Sequence, residues 1–327
     1  MAELTDFGPF GFGSANAGNL FEPMTDEQSF ALFTAMWDAG VRHFDTAPHY
    51  GMGLAEERLG AFLRTKPRDE YHLSTKVGRI IEALDAPEPD PITEYVAVQP
   101  RRRVHDYSRD GIRRSLEDSL QRLGVDRVDT LYIHDPEFGG DELVAGRLAT
   151  AIPACQELRD EGVVTAIGVG SCSVPALQVA VDLTTERGSG IDLLMVAGGF
   201  TLLTQPAHPQ LLETSRAIGV RFVATAPFNS GLLATHPPRR DSHFDYAAVP
   251  NEMFDAAVSL AGVCERHGVE LPTAALHFPL QYEDVAAVVT GAGNAEQVRQ
   301  TAARMSQAVP AALWHELQTD GRIPSAG

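Results

Sequence analysis

The sequence predicts an α/β protein folded as a single closed (β/α)8 TIM barrel with long loops at its C-terminal face, and three observations carry this. Eight short apolar runs end near Phe12, Phe44, Thr75, Ile133, Val169, Val196, Ala224 and Val289, with helical patterns between them. That alternation is the signature of parallel βαβ units. Helix-to-strand turns carry glycine stops, as in Ala39-Gly40-Val41, Leu123-Gly124-Val125, Glu161-Gly162-Val163 and Ile218-Gly219-Val220. No Pro/Gly/Ser-rich linker divides the 327 residues, so residues 1–327 read as one domain. Eight units in that length suit a closed barrel better than an open sheet.

Taken in order, the first strand runs into Phe10-Gly11-Phe12-Gly13-Ser14-Ala15. This is glycine-rich, but it lacks the G-x-G-x-x-G spacing and no helix follows at once, which disfavours an open dinucleotide-binding sheet. The periodicity predicts helices over 25–39, 56–63, 110–123, 148–161, 174–187, 206–218 and 251–267. Two connections are long and read as irregular. Residues 77–108 hold Pro87, Pro89, Pro91 and Pro100, and residues 229–250 hold Pro237 and Pro238. Loops of this size are usually functional, and both leave C-terminal strand ends, where a barrel places its active site.

Composition sets the outer bounds. The chain is 44% hydrophobic and 21% charged, with no apolar run long enough to cross a bilayer. Its formal charge of −18 disfavours nucleic acid and anionic membranes as partners. The cluster Arg101-Arg102-Arg103 reads as a solvated loop feature. Met1-Ala2-Glu3-Leu4-Thr5-Asp6 has neither a basic segment nor an apolar one, so export is not expected. Cys155, Cys172 and Cys264 are scattered and odd in number, which fits a reducing cytoplasm. Nothing in the sequence fixes an oligomeric state.

The chemistry is signalled first by lysine. The chain has only Lys66 and Lys76 against 24 arginines, so a lysine retained at a strand end is a candidate for work that a planar guanidinium cannot do. Asp45 and His134 end the second and fourth strands, Lys76 ends the third, and Tyr50 lies on the loop after Asp45. In a barrel these strand ends are neighbours on one face. An ammonium beside a phenol, whose ordinary pKa is about 10, favours the phenolate. Asp45 would hold that ammonium, and a neutral His134 would donate to a substrate oxygen, a group suited to proton transfer at an alcohol or carbonyl. Each has a plainer reading: Asp45 as a turn cap, Tyr50 as rim packing, His134 as a loop residue.

Other chemistries are less well served. Asp45, His49, His134 and Asp135 are ligand types, but no HxH or HExxH motif occurs and the later strand ends carry no ligands, so no metal is expected. Those ends are rich in small residues instead, including Ser171, Asn229 and Ser230. Gly291-Ala292-Gly293-Asn294 leads into a predicted helix containing Gln297, a natural phosphate cradle or an ordinary cap at Asn294.

Several segments together resemble the aldo-keto reductase superfamily. They are Phe44-Asp45-Thr46-Ala47-Pro48-His49-Tyr50-Gly51 followed by Glu56, Ser74-Thr75-Lys76-Val77-Gly78-Arg79, Leu131-Tyr132-Ile133-His134, and the helical stretch from Arg114 to Leu123. Phe200-Thr201-Leu202-Leu203, the stretch from Ala226 to Leu233 and that from Ala274 to Leu280 look like the branch of D-threo-aldose (L-fucose) dehydrogenases and pyridoxal 4-dehydrogenases.

The resemblance implies a nicotinamide cofactor, with Tyr50 as general acid/base, Asp45 and Lys76 tuning it, and His49, Tyr50 and His134 meeting substrate. It implies cofactor contacts from Ser171, Phe228, Asn229, Ser230, Gly291, Ala292, Gly293, Gln297 and Thr301. Where many members grip or stack the nicotinamide, this chain has Ala197 and Thr225, which leaves Ser171 for the carboxamide. Gly291 and Gln297 stand where NADPH-dependent members carry cations, so NAD is expected rather than NADP, with Arg299 the one residue that could reverse this. The expected function is NAD-dependent oxidation of a small polar alcohol or sugar lactol. The alternatives are NADPH-dependent carbonyl reduction, pyridoxal 4-dehydrogenation and, more remotely, a non-catalytic nucleotide-sensing subunit.

Overall fold

A computed structural model describes residues 8–86, 88, 94–188, 190–207, 209–245 and 247–324. Pro87, Pro89, Pro91 and the segment Met1 to Asp6 lie outside the described residues. The strands are β1 (Phe10–Gly13), β2 (His43–Asp45), β3 (His72–Val77), β4 (Arg79–Ala83), β5 (Arg101–His105), β6 (Thr130–His134), β7 (Ala166–Ser171), β8 (Leu193–Ala197), β9 (Arg221–Thr225), β10 (His243–Phe244), β11 (Ala247–Ala248) and β12 (Val285–Thr290). Eight of them close into a barrel in the order β1-β12-β9-β8-β7-β6-β3-β2, every pair parallel. This is the (β/α)8 architecture, and all eight anticipated strands are present.

The helices are α1 (Asp26–Asp38), α2 (Leu54–Leu63), α3 (Arg109–Leu123), α4 (Val144–Asp160), α5 (Val174–Arg187), α6 (Gln210–Ala217), α7 (Asn251–Arg266), α8 (Leu271–His277), α9 (Ala295–Met305) and α10 (Ala311–Thr319). Their starts follow local chemistry. Thr25 and Gln28 form a reciprocal capping box on α1, and Ser108 and Ser173 accept from the first turns of α3 and α5. Gly124 closes α3 in the left-handed conformation at φ 67°.

The departures have physical causes. Residues 77–108 are not irregular throughout, because β4 and β5 pair antiparallel and an Arg102–Glu82 ion pair at 2.9 Å links them. Arg101-Arg102-Arg103 is therefore a strand segment and not a solvated loop. Arg101 donates to the Met52 carbonyl at 2.8 Å and Arg103 reaches His49 Nδ1 at 3.3 Å. Helix α6 starts at Gln210, not at 206, after a turn in which Thr201 and Thr204 bond each other and Gln205 bonds the backbone. Helix α8 escaped the periodic reading because it is buried over Leu271–Leu276 and shows no polar face.

Side chains alternate along each barrel strand, separating two cores. Leu194 and Val196 pack outward under the helices, whereas Leu193, Met195, Tyr132, Val223 and Val289 fill the barrel interior. The interior also holds His43 and His72, rings 5.1 Å apart, with His72 Nε2 2.9 Å from Thr130 Oγ1. Burial holds the His43 ring well below its ordinary 6.5, and burial together with Arg68 lowers His72 to about 3.

Above pH 6.5 such rings are neutral in both folded and unfolded chains. Below it the unfolded chain takes up protons that the folded chain excludes, and each ring then costs about 1.4 kcal/mol of stability per pH unit. The urea midpoint is expected to fall between about pH 7.5 and about pH 5.5. A midpoint that is flat or rises would contradict neutral buried imidazoles.

Candidate active site

The C-terminal ends of β2, β3 and β6 bring three ionisable side chains to one rim. Asp45 closes β2, Lys76 is the penultimate residue of β3 and His134 closes β6. Tyr50 comes from the β2–α2 loop, whose path is set by contact between two glycine backbones. A Cβ on Gly51, which sits at φ 62°, would lie 2.3 Å from the Gly18 carbonyl oxygen. Only glycine lets this loop fold down over the barrel mouth and carry Tyr50 with it. Glu56, fully buried, accepts from Thr75 Oγ1 and from Arg122 Nε, each at 2.7 Å, tying α2 to β3 and α3 behind the site.

Lys76 is 2% exposed and has three oxygen partners. Its Nζ donates to Asp45 Oδ2 at 2.6 Å, to the Thr46 carbonyl at 2.9 Å and to Tyr50 Oη at 3.1 Å. Ser74 Oγ donates to the other Asp45 oxygen at 2.7 Å, so both carboxylate oxygens are engaged. The buried ammonium is therefore fully paired and aimed at the phenol. His134 stands beside the tyrosine, their rings perpendicular with centroids 6.1 Å apart. Burial, with Arg79 and Lys76 nearby, holds His134 well below its ordinary 6.5, and His49 is lowered likewise by burial and then by Arg79 and Arg103. Both imidazoles are neutral at physiological pH.

These side chains open onto a cavity of about 270 Å³ lined by His49, Tyr50, Lys76, His134 and Ser171. Ala197 and Thr225, the two departures from the common pattern, also line it. Arg79 bonds Asp135 at its wall. Ser171 Oγ bonds Glu137 and also accepts from Ser173 N at 2.8 Å. That hydroxyl, the candidate contact for a carboxamide, bonds protein partners here, and Glu137 was not legible as its neighbour. Among the described residues no group of three or more His, Cys, Asp or Glu converges as a metal site. Asp45 is engaged by Lys76 and Asp135 by Arg79.

A groove of about 420 Å³ adjoins this cavity through Leu20, which lines both. Phe228, Ser230, Gly291, Ala292, Gly293, Gln297 and Thr301 all line it. Asn229 does not. Its amide donates to Thr204 Oγ1 at 3.3 Å, and it faces a neighbouring cavity of about 330 Å³. Asn16, Phe21, His243, Gln300 and Arg304 complete the groove, and none of these was anticipated. The helical spacing of Gln297, Gln300, Thr301 and Arg304 was the signal that could have found the last of them.

The groove is lined by glycine backbone and the start of a helix. Gly291 keeps its floor low, since a Cβ there would lie 2.8 Å from Asn16 Oδ1, and α9 begins at its edge. At the start of α9, however, Asn294 Oδ1 caps Gln297 N at 3.0 Å and Gln297 Oε1 accepts from Gly293 N at 2.7 Å. Arg299 pairs with Glu296 at 2.9 Å and does not line the groove. The cation that does is Arg304, held by Glu270 at 3.1 Å.

Comparison with known proteins agrees with this arrangement. Residues 9–318 match the Aldo/keto reductase family. D-threo-aldose 1-dehydrogenase of Pseudomonas sp is 45% identical over 318 residues, covering 96% of this chain and 94% of that protein. Pyridoxal 4-dehydrogenase of Microbacterium luteolum is 35% identical over 330 residues, with the same coverage of 96% and 94%. The glycerol dehydrogenase structure from Gluconobacter oxydans shares the fold at a TM-score of 0.73 and 20% identity, covering 97% of this chain and 93% of that one. On this full-length agreement the chain belongs to the aldo/keto reductase family and is an NAD(P)-dependent oxidoreductase.

Proposed function

We propose that this chain oxidises a polar carbinol, with a sugar lactol as its substrate class, by hydride transfer to NAD. The observation that carries the reading is the Asp45–Lys76–Tyr50 chain, whose tyrosine lines a cavity that adjoins the groove. Similarity to a D-threo-aldose dehydrogenase supports the sugar, as do the polar walls supplied by Arg79, Glu94 and Asp135.

In this reading Tyr50 Oη takes the hydroxyl proton of the carbinol. Before that transfer the tyrosine is a phenolate whose negative charge Lys76, 3.1 Å away, stabilises; the proton it takes returns it to the neutral phenol, and Asp45 holds the ammonium aimed at it. His134 is neutral and would hold the substrate oxygen with an Nε2 hydrogen, the tautomer this role requires. Bound nicotinamide supplies the carbon that accepts the hydride. Phe228, Ser230, Gly291 and Gln297, which line the groove, would hold the dinucleotide beside the site.

The cofactor preference follows from where cations are absent. A 2′-phosphate is best held by a lysine or a bidentate arginine. Here Gln297 already occupies the Gly293 N–H, and the groove's arginine is tied to Glu270. Initial rates are expected to favour NAD over NADP by about tenfold or more, a difference of about 1.4 kcal/mol. Comparable or better turnover with NADP would contradict the assignment. The reaction itself is tested by screening aldoses, pyridoxal and simple alcohols for reduction of the nicotinamide. Aldoses are expected to lead, and preferential oxidation of pyridoxal would replace the sugar reading.

A further inference from the structure

Successive residues of a strand face opposite sides, so His134 and Asp135 should not share a cavity. They do, because Asp135 takes φ 41° at the end of β6. A left-handed backbone is costly for most side chains and least so for Asn and Asp. Tyr107 Oη fixes the turn by donating to the His134 and Asp135 carbonyls at 2.7 and 2.9 Å, and Asp135 N donates to the Gly170 carbonyl at 2.9 Å. The result is a carboxylate next to the imidazole, with Asp135 Oδ2 3.5 Å from His134 Nε2.

The same carboxylate is held by Arg79, whose side chain is only 4% exposed while that of Asp135 is 26% exposed. A buried ion pair is a poor way to gain stability, since desolvation offsets most of the attraction. What this pair provides is an oriented acceptor. Arg79 bonds Oδ2, and Asp135 itself lines the cavity beside His134. Glu94 lines the same cavity and adds to its acidic wall. Carboxylates accept hydrogen bonds and cannot donate them, so a ligand bearing O–H groups is the natural complement of these walls.

We propose that Asp135, oriented by Arg79, accepts the hydroxyl on the carbon adjacent to the reacting carbinol. The site then takes polyhydroxylated carbinols and rejects analogues that lack the adjacent hydroxyl. The inference rests on the dehydrogenase reading above and names the feature of the substrate that the site reads. A site built to hydrogen-bond a hydroxyl discriminates strongly against its absence, because its buried polar group is left unpaired.

The test compares kcat/KM for an aldose and its 2-deoxy counterpart at saturating NAD, in wild type and in Asp135→Asn. Wild type is expected to prefer the aldose by about 100-fold, and Asp135→Asn to lower that ratio by about fivefold or more. NAD affinity, read by quenching of protein fluorescence, is expected to stay within about twofold, since Asp135 does not line the groove. A wild-type ratio near one overturns the proposal even if the variant does not fold, and so does a folded Asp135→Asn that keeps the wild-type ratio. Absence of nicotinamide reduction with either sugar overturns the dehydrogenase reading itself, and this inference with it.

Discussion

Replacing Tyr50 by phenylalanine is expected to lower kcat by about three orders of magnitude while leaving fold and NAD affinity intact. The substitution removes one oxygen and keeps the ring, so the packing against Tyr95 at 6.3 Å and against His134 at 6.1 Å survives. What is lost is the group that exchanges a proton with the carbinol, a contribution of about 10²- to 10⁴-fold in positioned acid–base catalysis. Steady-state rates combined with fluorescence titration of NAD separate the two effects. Turnover that survives within a few-fold would remove Tyr50 from the chemistry and point to another proton acceptor.

The largest stability effect is expected at Asp45. Lys76 is almost completely buried, and its strongest partner is the Asp45 carboxylate at 2.6 Å. Asp45→Ala leaves an ammonium in the barrel rim with only the Thr46 carbonyl and Tyr50 for company, and it leaves Ser74 Oγ with only a long 3.5 Å bond to the Phe44 carbonyl. Removing one member of a buried pair typically costs about 3–5 kcal/mol, because the remaining charge is uncompensated. The double variant Asp45→Leu with Lys76→Met removes both charges and is expected to recover most of that loss while remaining inactive. Urea unfolding measures the first effect and turnover the second. A double variant no more stable than Asp45→Ala would show that the pair, and not the orphaned charge, stabilises the rim. A double variant with substantial turnover would show that the ammonium serves only structure.

The parts of this protein legible in its sequence are those whose physics is local. Each barrel strand is a short apolar run between a glycine stop and a loop, and the residues at strand ends could be placed on one rim by topology alone. Asp45, Lys76 and His134 were readable for that reason, and Tyr50 because it follows Asp45 so closely. Contacts between distant segments were not readable. The Arg102–Glu82 link that makes β4 and β5 a hairpin joins residues on either side of a proline-rich stretch. Pairing of Arg79 with Asp135 depends on a left-handed turn that no periodicity signals. Ser171 shows the same limit. Its position was anticipated, but the carboxylate of Glu137 that takes its hydroxyl belongs to a loop whose path the sequence does not reveal. Arg304 escaped notice in the same way, seven residues beyond Gln297 on the face of α9 that lines the groove.

The most direct measurement follows the hydrogen that leaves the substrate. An aldose carrying deuterium on its anomeric carbon is incubated with the enzyme and NAD, and the reduced cofactor and the sugar product are analysed by mass spectrometry. Direct hydride transfer beside Tyr50 predicts one deuterium in the reduced nicotinamide and a sugar lactone without it. Release of the label to solvent, or an aldose left unoxidised while a carbonyl compound is reduced efficiently with NADPH, would contradict the mechanism.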